Sequence, residues 1–273
     1  MRLGYNTSGL QNHRLDDALR LLADVGYGAV AITPDIMHLD PFAVTAREVD
    51  RVAGLLDELD LDPVIETGAR FVLDPRHKHE PTLMTRSNEG RRRRLDFYRR
   101  CCELGRDLGA GVLSFWAGVD RRPGPDSTAW LRDGIQRTCE LARAKQMVPA
   151  LEPEPGMAVA TVADYERLAA ALGSDAPRLC LDVGHLYVID EGAPADLIAR
   201  VGPRLAQVHL EDIRRGVHEH LPPGEGDVDF SAIGRALQQS KYRGPVCWEL
   251  SRSSHAAASA VSVCREVWQA AVR

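Results

Sequence analysis

Four short apolar runs in the second half of the chain each carry, at or next to their last residue, a side chain able to bind a metal ion. They are Val148-Pro149-Ala150-Leu151-Glu152, Leu179-Cys180-Leu181-Asp182, Gln207-Val208-His209-Leu210 and Val246-Cys247-Trp248-Glu249. Carboxylate oxygens with one imidazole suit Mn²⁺, Mg²⁺ or Co²⁺, and also Zn²⁺. Taken singly, each acid is explained as well by an arginine or lysine partner in a protein wall. Three buried carboxylates aimed at one point, however, repel strongly without a cation between them. Their recurrence at one place in four successive runs makes Glu152, Asp182, His209 and Glu249 the expected ligands of one divalent metal.

The elements that must position these residues repeat along the whole chain. Apolar runs at 3–5, 29–32, 63–65, 111–115, 148–151, 179–181, 205–210 and 246–250 are too short for helices and suit buried parallel strands. Between them lie stretches with helical periodicity, among them 15–25, 46–59, 91–108, 130–145, 162–172 and 230–239. Leu19, Leu22 and Ala23 form the apolar stripe of a helix facing a sheet. Gly26, Gly109 and Gly173 precede strands and suit left-handed helix caps. The pattern predicts a single-domain (β/α)8 TIM barrel over residues 1–273, with chemistry at the C-terminal ends of the strands. An open Rossmann-like sheet fits less well, because Asn6-Thr7-Ser8-Gly9-Leu10 after the first strand is not a G-x-G-x-x-G phosphate turn.

Composition narrows the function classes. The 273 residues are 44% hydrophobic and 27% charged, enough apolar material for one large core. A net charge of -5 argues against a nucleic-acid binder, which needs a basic surface. No apolar run is long enough for a signal peptide or a membrane span. The six cysteines lack zinc-finger or secreted-framework spacing and read as reduced structural thiols. A cytoplasmic protein acting on a small molecule is the expectation, with homo-oligomerisation left open.

Several motifs in combination resemble the xylose-isomerase-like TIM barrel superfamily, which includes sugar phosphate isomerases and epimerases and the AP endonuclease family 2 proteins. They are Leu151-Glu152, Leu181-Asp182-Val183-Gly184-His185, His209-Leu210-Glu211-Asp212, Pro223-Gly224-Glu225-Gly226-Asp227 and Glu249. The resemblance covers essentially the whole chain. It implies a metal at Glu152, Asp182, His209 and Glu249, with the two glutamates exchanging a proton at the carbon beside a carbonyl. It further implies a substrate-side role for His185 and substrate contacts from Arg215. The activity it implies is isomerisation or epimerisation of a ketose, keto-cyclitol or related metabolite. Elimination by a dehydratase or lyase, a multinuclear phosphodiesterase like endonuclease IV, and a non-catalytic binding barrel are the alternatives.

Other side chains extend the candidate site. His218 and His220, two residues apart in an extended loop, point the same way and with His185 make a second metal possible. Endonuclease IV has histidines after its third and fourth strands, where this chain has Glu66 and Trp116, so its full trinuclear site is not expected. Glu66 is a candidate for binding a substrate hydroxyl, and Trp116 for stacking on a sugar face. Glu154 lies beyond the end of its strand and is left out of the ligand set. The arginine run 91–94 is expected to be a solvated helix face, and His77 and His79 to face solvent in a long loop.

Overall fold

The eight apolar runs are strands, and in the computed structural model, which describes residues 1–273, they close into a parallel barrel in chain order. They are β1 (Arg2–Asn6), β2 (Ala29–Ile32), β3 (Asp62–Glu66), β4 (Val112–Trp116), β5 (Val148–Glu152), β6 (Arg178–Asp182), β7 (Leu205–Leu210) and β8 (Pro245–Trp248). Pairing of β1 with β8, from Arg2 opposite Pro245 to Tyr5 opposite Trp248, seals the ring.

Helices α1 (Leu15–Val25), α2 (Ala46–Glu58), α3 (Asn88–Asp107), α4 (Pro125–Ala144) and α5 (Val162–Leu172) follow the first five strands. After β6 come α6 (Val183–Val188) and α7 (Pro194–Val201), then α8 (Phe230–Gln239) after β7 and α9 (Ala257–Ala271) after β8. Periodicity does not reveal α6, because it is short and its first five residues are all buried, leaving no polar face. Of the glycines expected to cap helices, Gly26 has φ 97° and accepts the left-handed role. Gly173 instead opens a 3-10 turn with φ 59° and ψ -125°.

Alternation along the strands divides the interior into two regions. Leu151, Leu179, Leu181, Val208 and Trp248 face outward into the large core between strands and helices. Ala31, Val64, Val112, Ala150, Cys180, Ala206 and Cys247 fill a separate cluster inside the barrel. Space there is tight: a Cβ on Gly4 would lie 2.6 Å from the Cys247 sulfur. One irregularity matters for the site. Leu179 pairs with Leu205 but Cys180 pairs with Gln207, so Ala206 is an extra residue in β7. This bulge keeps Gln207 and His209 in step with Cys180 and Asp182 of β6.

All six cysteines are free and buried, as their spacing suggested. No helix is long and apolar enough to cross a membrane. The arginine run departs from expectation. Arg92 and Arg93 are solvated, but Arg94 is fully buried, donating from Nε to the Pro81 carbonyl at 2.7 Å and from Nη2 to the His79 carbonyl. Its guanidinium carbon sits 5.3 Å from the Trp116 ring centre. Arg91 stacks 4.1 Å over Trp130 and binds the Thr85 carbonyl at 2.7 Å. These side chains serve to tie down the loop after β3. His79 follows: rather than facing solvent, it is half-buried, 2.6 Å from the Gly68 carbonyl and edge-on to Trp116.

Replacing Arg94 by alanine leaves two half-buried carbonyl oxygens without their guanidinium partner and empties a fully buried side-chain volume, so a stability loss of about 2–4 kcal/mol is expected. Chemical denaturation of Arg94→Ala checks this; a loss below about 1 kcal/mol would contradict the pinning role.

Candidate metal centre

Two residues above the layer of Ala150, Cys180 and Cys247, the same inward-facing positions of β5, β6 and the end of β8 carry Glu152, Asp182 and Glu249. His209 of β7 completes the set, and the four ligand atoms lie within 4.8 Å of one another. Glu249 follows the last residue of β8, yet its N–H donates to the Leu210 carbonyl at 2.8 Å, so sheet pairing carries through to it. His209 Nδ1 stands 3.1 Å from Glu152 Oε1 and 3.0 Å from Glu249 Oε2. Asp182 divides its two oxygens. Oδ1 caps α6 by accepting the Gly184 N–H at 2.7 Å and the His185 N–H at 3.3 Å, while Oδ2 is buried without any partner.

The electrostatics fit a cation. Every ion pair made by the carboxylates of the mouth is with a histidine. Burial pushes the Glu152 carboxyl up despite His209. At Glu249 burial acts the same way, but the hydrogen bond and charge of His209, helped by His220 and His185, outweigh it and hold the carboxyl down at about 2. Burial also disfavours the His209 imidazolium, yet Cys180 and Glu152 overcome it and raise the group well above its ordinary value. A proton on His209 is the only positive charge within this quartet. Three carboxylates, an imidazole and an unpartnered buried oxygen are a donor set suited to a divalent ion.

The ring of His209 is held from below. Its Nε2 lies 2.7 Å from the Gln207 amide nitrogen, while Gln207 Oε1 has no partner. The amide can donate to a bare Nε2, or turn so that Oε1 accepts from an Nε2–H. The second arrangement leaves Nδ1 bare toward Glu152 and Glu249, which a metal-binding imidazole requires.

A second cluster adjoins the first. Glu154, His185 and His218 bring ligand atoms within 4.8 Å of one another, as do Asp182, His185 and Glu211. His220 contacts Glu211 through Nδ1. The loop bearing both histidines is folded back by Asp212, which accepts N–H bonds from Ile213, Gly224, Gly226 and Val228 at 2.7–3.1 Å. Paired backbone bonds between Asp212 and Leu221, both 3.0 Å, complete the turn. Glu211 fits only because residue 184 is glycine: a Cβ there would lie 2.6 Å from its Cγ. Burial, then Asp182 and Glu249, raise the Glu211 carboxyl well above the usual range, and burial brings Glu154 to about 8. Neither Glu154 nor Glu211 was in the expected set. Residues two apart in extended chain point the same way, so Glu152 and His209 mark them.

Glu66 closes β3 with a buried carboxyl. Thr33 has one hydroxyl proton but sits 2.7 Å from Asn6 Oδ1 and 2.6 Å from Glu66 Oε2. Both contacts are hydrogen bonds only when Glu66 is protonated, in keeping with burial and Glu249 raising it to about 7. Trp116 closes β4 but is buried against His79 and Arg94. The Arg215 guanidinium is not brought to the carboxylates. It is mostly exposed, 4.8 Å over Tyr187 and 3.5 Å from Asp190.

The xylose isomerase-like TIM barrel family model matches residues 19–267. The chain belongs to that family. Within it, the chain is 26% identical over 255 residues to L-ribulose-5-phosphate 3-epimerase UlaE of Shigella flexneri serotype 5b (strain 8401), covering 91% of this chain and 87% of the relative. The UlaE enzyme of Escherichia coli (strain K12) is 27% identical over 212 residues, 76% of this chain and 74% of the relative. Among solved structures, an L-ribulose 3-epimerase superposes with TM-score 0.80 at 20% identity, covering 99% of this chain and 94% of the other. The IOLI protein with a bound zinc atom gives TM-score 0.80 at 19% identity, covering all of this chain and 98% of the other.

Substituting Gln207 by leucine removes the closest partner of His209 Nε2, leaving only the Cys180 sulfur at 3.8 Å. Isothermal titration with Mn²⁺ is expected to show binding weakened about 10–100-fold. Unchanged affinity would show that the ring is oriented by packing alone.

Proposed function

We propose that this protein is a divalent-metal-dependent epimerase or isomerase of a small polyhydroxylated carbonyl compound, a ketose or keto-cyclitol. The observation that carries the reading is the pairing of Glu152 and Glu249 on either side of His209, at the mouth of a barrel whose curated relatives are named sugar epimerases. Glu152, Asp182, His209 and Glu249 hold the cation, with the free Oδ2 of Asp182 and Nδ1 of His209 as their ligand atoms.

The bound ion, Mn²⁺, Mg²⁺, Co²⁺ or Zn²⁺, supplies a Lewis acid that makes the C–H beside a carbonyl acidic. One glutamate takes that proton and the other returns a proton to the opposite face of the carbon. By microscopic reversibility each residue serves as base in one direction and acid in the other. Glu66, whose carboxyl proton goes to Thr33, has its other oxygen left to accept a hydrogen bond from a substrate hydroxyl. His185, held in orientation by the Pro153 carbonyl 3.0 Å from its Nδ1, borders the same space.

The test is solvent exchange. Candidate ketoses and keto-cyclitols are incubated in D₂O with the metal-loaded protein and followed by NMR. Epimerase chemistry gives deuterium at the carbon beside the carbonyl without loss of water. Loss of water identifies a lyase instead. Glu249→Gln should slow turnover about 100- to 10,000-fold while leaving the circular dichroism unchanged; full activity in that variant would sink the two-glutamate mechanism. Chelation should abolish turnover, and Mn²⁺ should restore it.

A further inference from the structure

Beside the mouth, outside the carboxylate cluster, a cavity of about 590 Å³ opens between the loop after β7 and the turn that joins β8 to α9. His220 stands in its wall and also touches Glu211, so cavity and mouth share a side chain. Arg252 lines it, exposed and paired with no carboxylate. Its Nη2 reaches only the His218 carbonyl, at 3.4 Å. The first turn of α9 lines the cavity too, through Ser259. No side chain caps that helix end, and no acidic residue stands in its first turn. Free N–H groups and the positive end of the helix dipole favour an anion there.

Ser253 points to a ligand independently of the helix. It is only 7% exposed and lines the same cavity. Its N–H donates to the Leu250 carbonyl at 3.0 Å and its carbonyl accepts the Ala256 N–H at 2.9 Å, while its hydroxyl has no partner. That hydroxyl is not sealed inside the protein, so its open side is toward the cavity. A group held this deep is a donor free for an acceptor bound beside Arg252. The turn is rigid: Ser254 Oγ accepts the Asn12 N–H at 2.9 Å. Nearby acids leave the arginine charge uncompensated. Glu219 spends both its oxygens on Arg214, at 2.6 and 2.7 Å, and Glu225 is exposed to water.

We propose that this cavity holds the phosphate of a phosphorylated substrate, so that the barrel works on a sugar phosphate. Arg252 supplies the charge, and the Ser253 hydroxyl with the first N–H groups of α9 supplies the donors. The carbon chain then reaches past His220 to Glu152 and Glu249. The inference rests on the epimerase reading for the reaction and names its substrate class. A phosphate dianion is repelled by the carboxylates of the mouth, so it must be held at a cationic place to one side. In a (β/α)8 barrel the loops after the seventh and eighth strands and a helix N-terminus are a recurrent phosphate seat. Anchoring the far, unreacting end of the substrate there fixes the reacting carbon between the two glutamates.

Inorganic phosphate is the first probe. Isothermal titration of the metal-loaded protein should show phosphate binding that Arg252→Ala weakens about 10- to 100-fold and Arg252→Lys restores in part. Arg252 is exposed, so the melting temperature should not move. The second probes are L-ribulose 5-phosphate with L-ribulose, and D-fructose 6-phosphate with D-fructose, in the D₂O exchange assay. Wild type should favour the phosphorylated sugar in kcat/KM, and Arg252→Ala should lose that preference by about the same factor, through KM. Phosphate binding that is absent, or unaffected by Arg252→Ala because the anion sits on the metal, overturns the site. Binding lost in the variant without any preference for phosphorylated sugars overturns the substrate class and leaves the epimerase reading standing. Phosphate held through Arg252 with no exchange from any of these sugars supports the anion site and counts against the epimerase reading alone.

Discussion

Six carboxylates, from Glu66, Glu152, Glu154, Asp182, Glu211 and Glu249, share one end of the barrel, and no lysine or arginine pairs with any of them. Two unit charges about 4 Å apart at an effective dielectric constant of about 20 repel by about 4 kcal/mol. A few such pairs match the whole stability of an ordinary domain, about 5–15 kcal/mol. The cluster therefore exists only with its charge compensated. Without metal, protons do this, which is why burial and mutual repulsion drive Glu66, Glu154 and Glu211 upward together. A divalent ion held by Glu152, Asp182, His209 and Glu249 would supply the same compensation, with the proton on His209 given up as it bound.

The rest of the fold is arranged around that constraint. Small residues below the quartet, Ala150, Cys180 and Cys247, let the strands approach closely enough for side chains from four of them to converge. The extra residue at Ala206 adjusts the step of β7 so that His209 meets Asp182 across the ladder. Gly184 then clears the volume Glu211 fills, and Asp212 spends both its oxygens on four backbone N–H groups to bring His218 and His220 over the mouth. Every one of these devices has a packing or hydrogen-bond cause that is independent of any bound ion, so the donor atoms are placed without one.

How much of this was legible in sequence depended on what kind of interaction fixed each residue. The barrel and the quartet were readable because strand length and alternation are local properties, and strand ends are where a barrel concentrates chemistry. Glu154 and Glu211 continue that alternation by one step. They escape notice because the strand signal itself ends at Glu152 and Leu210, although the backbone direction persists. Arg94 was not readable at all. A buried arginine in a run of four looks like its solvated neighbours, and only the carbonyls of His79 and Pro81, thirteen or more residues away, distinguish it. Arg215 shows the converse: sequence spacing placed it by the substrate, while the side chain is drawn to Tyr187 and Asp190.

The two clusters differ in what holds them, and that difference bears on specificity. The quartet is built on strand positions whose neighbours are locked by the barrel ladder, so its geometry changes little unless the fold itself changes. Glu154, His218 and His220 sit on loops after β5 and β7, positioned by capping and turn hydrogen bonds rather than by the sheet. Loops can be rebuilt without disturbing the barrel, so a shared reaction at the quartet can be combined with different groups facing the remote part of a substrate. The mouth thus pairs an oxygen-rich quartet fixed by the sheet with an imidazole-rich cluster of Glu154, His185 and His218 borne partly on loops. In the proposed epimerase reading, the reacting carbon lies between the paired glutamates Glu152 and Glu249. On the same reading, the loop-borne groups face the remote part of the substrate and can vary without moving the glutamates.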